Sequence, residues 1–137
     1  MSLTAAARVR PVGQDHYSIS EVASYTGLSA HTLRWYERIG LLNGVHRSHT
    51  GQRLYTDGDL DWLDLIGKLR LTGMPVADMV RYAELVRAGD QTMPERTQLF
   101  REHREVVRQQ IEDLRTTLAV LDFKIEFYEG ASSQCTP

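Results

Sequence analysis

Four side chains near the first third of the chain have types and spacing that could do chemistry. His31, Arg34, Trp35 and Arg38 stand at i, i+3, i+4 and i+7, so a helix puts them on one face. Two guanidiniums, an imidazole and an indole on one stripe make a donor-rich surface for anions. Arginine can donate a bidentate pair to guanine O6 and N7, and its neighbours can position a helix on phosphates. A second basic element follows at once. Arg47 and Arg53 flank a Ser-His-Thr-Gly turn at 48–51, with His46, His49, Gln52 and Tyr55 beside them. Arginine, glutamine and the tyrosine hydroxyl are common phosphate ligands. The competing reading is a solvated surface, in which Arg34 and Arg38 pair with Glu37 and nearby acids, Trp35 enters the core, and the hairpin is plain. Two basic elements in succession favour the anion-binding reading. His46 and His49, with no cysteine or close acid, are a weak metal set; no metal and no other cofactor is expected.

The charge distribution agrees. The chain has 137 residues, 16 Lys+Arg and 18 Asp+Glu, for a net charge of −2. That mild acidity argues against a protein that coats nucleic acid. Residues 17–55, however, carry four arginines and two glutamates, while residues 56–137 carry ten basic and fifteen acidic residues. A positive segment on an acidic body marks a local anion-binding face. A single cysteine, Cys135, precludes an intrachain disulfide and fits a reducing compartment. The N-terminal residues lack the apolar core of a signal peptide, and no apolar run reaches the ~20 residues of a membrane span. A cytoplasmic protein is expected.

The elements that must position these residues are helical. Residues 1–16 read as a flexible tail. Ser18 and Glu21 form a capping box that opens a helix with Ile19, Val22 and Ala23 on its apolar face, and Gly27 ends it. Ser29 caps the next helix, with Leu28 and Leu33 at the staple positions, and Gly40 ends it. On this helix Leu33 and Tyr36, with Leu41 after it, fall opposite the basic face and pack inward. Residues 44–55 lack a helical period and read as a short hairpin. Thr56 caps a third helix, with Leu60, Leu63, Ile66 and Leu69 inward. Pro75 starts a fourth, with Val76, Met79, Val80, Ala83 and Val86 inward, ending at Gly89. Thr92 and Glu95 read as a capping box for a last helix of about 36 residues, some 54 Å long at ~1.5 Å per residue. Residues 130–137 read as a small polar, flexible tail.

Val107, Ile111, Leu114, Leu118, Leu121, Ile125 and Tyr128 repeat at spacings of 4, 3, 4, 3, 4 and 3. This is a heptad seam. Either it folds back on its own domain or it pairs with a second copy. The preceding residues are too few to cover such a rod, which favours self-pairing, parallel or antiparallel.

These residues together resemble the mercury-resistance regulator (MerR) family of winged helix-turn-helix proteins. The resemblance runs from Ile19-Ser20-Glu21-Val22-Ala23 through Gly27-Leu28-Ser29 and Thr32-Leu33-Arg34-Trp35-Tyr36-Glu37 to Gly40-Leu41-Leu42. Arg47 and Gly51-Gln52-Arg53-Leu54-Tyr55 resemble the family's wing, Leu69-Arg70-Leu71-Thr72-Gly73-Met74-Pro75-Val76 its second helical pair, and the terminal seam its dimerisation helix. The resemblance implies a mainly α fold. A winged helix-turn-helix DNA-binding domain with a small β-hairpin wing, residues 17–89, is followed by a long dimerisation helix, 92–129, in an antiparallel coiled coil. It implies a homodimer on a pseudo-palindromic promoter whose −35 and −10 elements are over-spaced, and which it bends and untwists for RNA polymerase. Arg34, Trp35 and Tyr36 would contact DNA from the recognition helix, and Arg47, Arg53 and Tyr55 would hold the flanking backbone. With Ser18, His31, Thr32 and Arg38 these form the candidate DNA-binding set.

The departures concern the effector. Metal-sensing relatives carry cysteines around the dimerisation helix, and an iron–sulfur sensor needs four; here that region has Cys135 alone. Drug-sensing relatives add a large C-terminal domain. The resemblance is to a short subgroup linked to aldehyde and other electrophile stress, whose members often carry a cysteine where this chain has Lys68. The effector is thus an unidentified small molecule or electrophile, and Cys135 is expected to be incidental. Three other readings remain: an enzyme, for which no paired carboxylates, nucleophile–base pair or phosphate loop is evident; a coiled-coil interaction protein; and a plain repressor that does not distort its promoter.

Overall fold

The computed structural model describes residues 8–134. In chain order these form β1 (Tyr17–Ser18), α1 (Ile19–Thr26), α2 (Ala30–Arg38), β2 (His46–Arg47), β3 (Arg53–Tyr55), α3 (Asp57–Leu71) and α4 (Val76–Ala88). A single 3-10 turn (Asp90–Thr92) then leads to α5 (Met93–Gln134). The chain divides into two compact units, one ending at Arg96 and one beginning at Thr97.

The first unit is organised by its caps. Ser18 Oγ accepts from the Glu21 amide at 3.1 Å while Glu21 accepts from the Ser18 amide at 3.3 Å, which closes the capping box of α1. Ser29 Oγ accepts from the Thr32 amide at 3.0 Å and starts α2. Thr56 and Asp59 make a second box at the head of α3. Each cap satisfies amides that would otherwise lack partners at a helix start. The expected hairpin is present, closed by Ser48 N to Gln52 O at 2.8 Å and turned at Gly51, whose φ of +83° favours glycine. It has an unexpected third member. β1 pairs antiparallel with β3, Tyr17 opposite Tyr55, so the sheet order is β1-β3-β2. Leu33, Leu41, Leu60, Ile66 and Met79 are each no more than 1 % exposed and form the core between the helices and this small sheet.

Several details differ from expectation. Val76, expected inward, is 40 % exposed, whereas Leu85 is buried. The 3-10 turn folds back on the end of α4, where Thr92 Oγ1 lies within bonding distance of the Leu85 and Gly89 carbonyls. Thr92, expected to share a reciprocal box with Glu95, also has other partners. Its hydroxyl accepts from Arg96 Nε at 3.0 Å, and Glu95 pairs with Arg81 at 3.1 Å. Residues 8–16 are not all tail. Arg10 reaches Asp61 at 2.6 Å, Asp64 at 3.2 Å and the Asp57 carbonyl at 3.0 Å on α3. That acidic stripe at i, i+4 and i+7 is also met by Tyr17 on Asp57 and Tyr25 on Asp64.

The second unit is the body of α5. The helix continues through Gln134, past the expected tail boundary at 130. Gly130 has no positive φ and so forms no left-handed stop, and glycine inside a helix costs only ~1 kcal/mol. At 42 residues α5 is about 63 Å long. None of its side chains is fully buried. Glu105–Arg108 and Glu112–Arg115 pairs at 2.7 and 3.0 Å support it locally. Among the described residues no helix is long and apolar enough to cross a membrane.

Candidate nucleic-acid interface

α2 projects His31, Arg34, Trp35 and Arg38 outward together. All four are exposed, Trp35 at 38 %. Among the described residues neither Arg34 nor Arg38 has a hydrogen bond or ion pair, and the pairing with Glu37 weighed above does not occur. Glu37 turns instead to the hairpin, accepting from Arg53 Nε at 2.6 Å and Arg47 Nη2 at 3.5 Å. Arg47 stays half exposed on its side chain, whereas Arg53 is mostly covered. The stripe thus presents two guanidiniums with free donor edges, an arrangement suited to bases and phosphates.

The far end of α2 is held by polar tethers from the helical pair. Gly40 turns the chain at φ +81°, and the amides of Leu41 and Leu42 both donate to the Tyr36 carbonyl, at 2.9 and 3.1 Å. Trp62 Nε1 on α3 donates to the Leu41 carbonyl at 2.8 Å, and Arg87 on α4 donates to the Gly40 carbonyl at 2.7 Å. The Trp62 indole stacks on Tyr82, centroids 5.3 Å apart and planes 5° apart. A cleft of about 220 Å³ lies beside these tethers, lined by Leu41, Asn43, Asp59, Trp62, Val86 and Arg87 among others. Sequence reasoning did not single out Trp62, Arg70 or Arg87. They act across more than twenty positions of sequence, where no local pattern reports them.

Two of the candidate contacts lie elsewhere than the resemblance places them. Tyr36 is 2 % exposed, and its hydroxyl accepts from Arg70 Nη1 at 3.2 Å, so the inward position read from helical spacing is the observed one. Tyr55, paired with Tyr17 of β1, is fully buried, and its hydroxyl has no hydrogen-bond partner among the described residues. Burial raises its phenol above the ordinary range, the charges of Glu37 and Asp59 add to this, and Arg53 and Arg34 oppose it. As placed, neither ring offers surface to a partner. Ser18 is half-buried and spends its hydroxyl on the α1 cap, and Thr32 Oγ1 accepts from Ser29 Oγ at 3.0 Å. Lys68 is exposed on α3, and Cys135 lies outside the described residues. Among the described residues no three His, Cys, Asp or Glu side chains come together to hold a metal ion.

A capped helix-turn-helix with a basic outer face and a flanking antiparallel hairpin defines a winged helix-turn-helix protein. The comparisons with known proteins fix the family. Residues 17–85 match the model described as MerR HTH family regulatory protein, and residues 60–122 the model described as MerR, DNA binding. An uncharacterised HTH-type transcriptional regulator of Haemophilus influenzae is 41 % identical over 117 residues, covering 85 % of this chain and 87 % of that protein. The Bacillus subtilis transcriptional regulator AdhR is 35 % identical over 88 residues, 64 % of this chain and 63 % of its own. Among solved structures, HiNmlR, described as a MerR family regulator lacking the sensor domain and bound to promoter DNA, superposes with a TM-score of 0.77. It is 41 % identical and covers 86 % of this chain and 94 % of that one. A putative MerR family regulator from Listeria monocytogenes gives 0.77 at 34 % identity, covering 82 and 86 %. The chain belongs to the MerR family and is a DNA-binding transcriptional regulator.

Proposed function

We propose that the chain works as a homodimer on a pseudo-palindromic promoter site, which it distorts so that RNA polymerase can use an over-spaced −35 and −10 pair. The α5 seam carries this reading. Ile111, Leu114, Leu118, Leu121, Ile125 and Tyr128 are 42–69 % exposed, a continuous apolar stripe that water does not favour and a second copy would cover. Arg34 and Arg38 supply base and phosphate donors, His31 and Trp35 flank them, and Arg47 and Arg53 anchor the wing on the backbone. Ser18 acts through the α1 cap, and Thr32 through its bonds to Ser29 at the start of α2. Tyr36 and Tyr55 are supports of the reading surface. An effector of small, neutral or electrophilic character modulates the complex, Cys135 is dispensable to it, and the protein acts in the cytoplasm without catalytic turnover.

Footprinting the promoter of its own gene, with run-off transcription on templates of altered spacer length, tests this. Protection of an inverted repeat across an over-long spacer, and loss of activation when the spacer is shortened, are expected. Protection of a normally spaced promoter with repression alone would replace distortion by simple occlusion.

A further inference from the structure

Residues 17–55 contain two acidic side chains, Glu21 and Glu37. Glu21 is consumed in the α1 capping box. Glu37 is therefore the one carboxylate of this segment not spent on a helix cap, one position before Arg38 and three after Arg34. A negative charge there repels phosphate, so its presence calls for a compensating role. The geometry supplies one. A single carboxylate, side chain 24 % exposed, takes Arg53 of β3 on Oε2 and Arg47 of β2 on Oε1, at 2.6 and 3.5 Å. It thereby ties both strands of the hairpin to α2. Arg47 also donates to the Gly51 carbonyl at 3.3 Å, which carries the tie to the hairpin turn. The cluster holds two cations and one anion, so one of the wing's two positive charges is offset before any DNA arrives.

We propose that Glu37 is a positioning residue for sequence discrimination: it fixes the wing at one setting relative to α2 and offsets arginine charge that would otherwise bind any phosphate. Arg34 and Arg38 keep free donors for the site-specific contacts, while the wing engages only a backbone that passes at the held position. The result is less affinity for arbitrary DNA and more dependence on DNA shape. The proposal rests on α2 and the hairpin being the DNA-facing surfaces.

The test uses the full chain with two duplexes of equal length, the promoter fragment of its own gene and a scrambled version, across a salt series. In Glu37→Gln the slope of log K against log salt on the scrambled duplex should steepen by about one, because one repelling charge is gone. Its affinity for the scrambled duplex should rise several-fold and the specific-to-non-specific ratio fall about tenfold. Adding Arg53→Gln should return the slope to the wild-type value. A carboxylate that merely supported the fold would lower both affinities together and leave or flatten the slope, and that outcome overturns the proposal. Should Glu37→Gln melt early, Glu37→Asp supplies the same readout: a kept charge on a shorter arm should keep the slope and still lose discrimination, and full discrimination there overturns it. Arg34→Ala is the control for the underlying surface. If it binds both duplexes like wild type, α2 does not face DNA, and the role of Glu37 falls with that assignment rather than by its own test.

Discussion

Leu33, Leu60, Ile66 and Met79 in the first unit are at most 1 % exposed, whereas Leu114, Leu118 and Leu121 on α5 are 69, 58 and 52 % exposed. The same residue types thus meet opposite fates within one chain. Up to Arg96, short helices fold around one another and around a three-stranded sheet, and polar groups on α3 and α4 tether the end of α2. From Thr97 onward the described residues form one helix with its own ion pairs and no fully buried side chain. A lone helix stripe cannot build a core, so most of its stability must come from packing against something else. The contrast separates what each unit needs: the first carries a finished core and an unfinished charged surface, the second an unfinished core.

The largest effect should come from breaking the second unit. Leu114→Asp or Leu121→Asp places an unpaired charge in the seam, at a cost of several kcal/mol if it is covered. Sedimentation should show monomer, and operator binding should fall by roughly two orders of magnitude or more; a dimer that persists would mean the seam is not the joint. Next comes the charged surface. Arg34→Ala should remove about 1–3 kcal/mol from binding to the specific site, with little change on scrambled DNA. Arg53→Ala should weaken both and lower the salt slope by about one. Equal behaviour of the two variants would erase the division between α2 and the wing. A smaller effect sits in the tethers. Trp62→Phe keeps an aromatic ring over Tyr82 but loses the donor to Leu41, leaving that carbonyl to water or to nothing. A loss of about 1 kcal/mol in thermal or urea melts is expected, with specific affinity falling alongside.

The smallest effect is electrostatic and appears only in alkali. Tyr17 and Tyr55, chiefly by burial, and Tyr25, chiefly through its hydrogen bond to Asp64, hold their phenols above the ordinary value of 10.0. A raised folded-state pKa stabilises the protonated form. Their contribution is therefore complete below pH ~10 and lost as pH rises through the folded-state values. Melting temperature should decline above pH ~10 more steeply in wild type than in Tyr25→Phe. Matching alkaline limbs would show that this phenol does not titrate on unfolding.

The parts legible in the sequence were those encoded locally. Ser18 with Glu21, Ser29 and Thr56 announced their helices because capping chemistry acts within four residues. The heptad spacing from Val107 to Tyr128 announced an apolar stripe for the same reason, and helical spacing alone placed Tyr36 inward. What escaped was non-local. A two-residue strand at Tyr17–Ser18 exists only because Tyr55, thirty-eight positions on, pairs with it. Glu37 meets arginines ten and sixteen positions away, and Arg10 meets acids more than fifty away. Thr92 read as a cap in sequence, but its bonds to the Leu85 and Gly89 carbonyls, set by the 3-10 turn, were not legible there. The resemblance carried the fold and family but put the rings of Tyr36 and Tyr55 on the outside, since a motif names positions without saying which way each side chain turns.

The two tryptophans of this chain have different neighbourhoods, and that makes the protein its own optical probe. Trp35 stands on α2, 38 % exposed, while Trp62 is partly buried, stacked on Tyr82 and bonded through Nε1. Trp35 should emit at longer wavelength and be open to iodide quenching; Trp62 should emit to the blue and resist it. Titrating a duplex should shield the red component alone, whereas loosening the end of α2 should shift the blue one. Trp35→Phe and Trp62→Phe each leave a single emitter, so docking on DNA and release of the tethers can be followed separately in one cuvette.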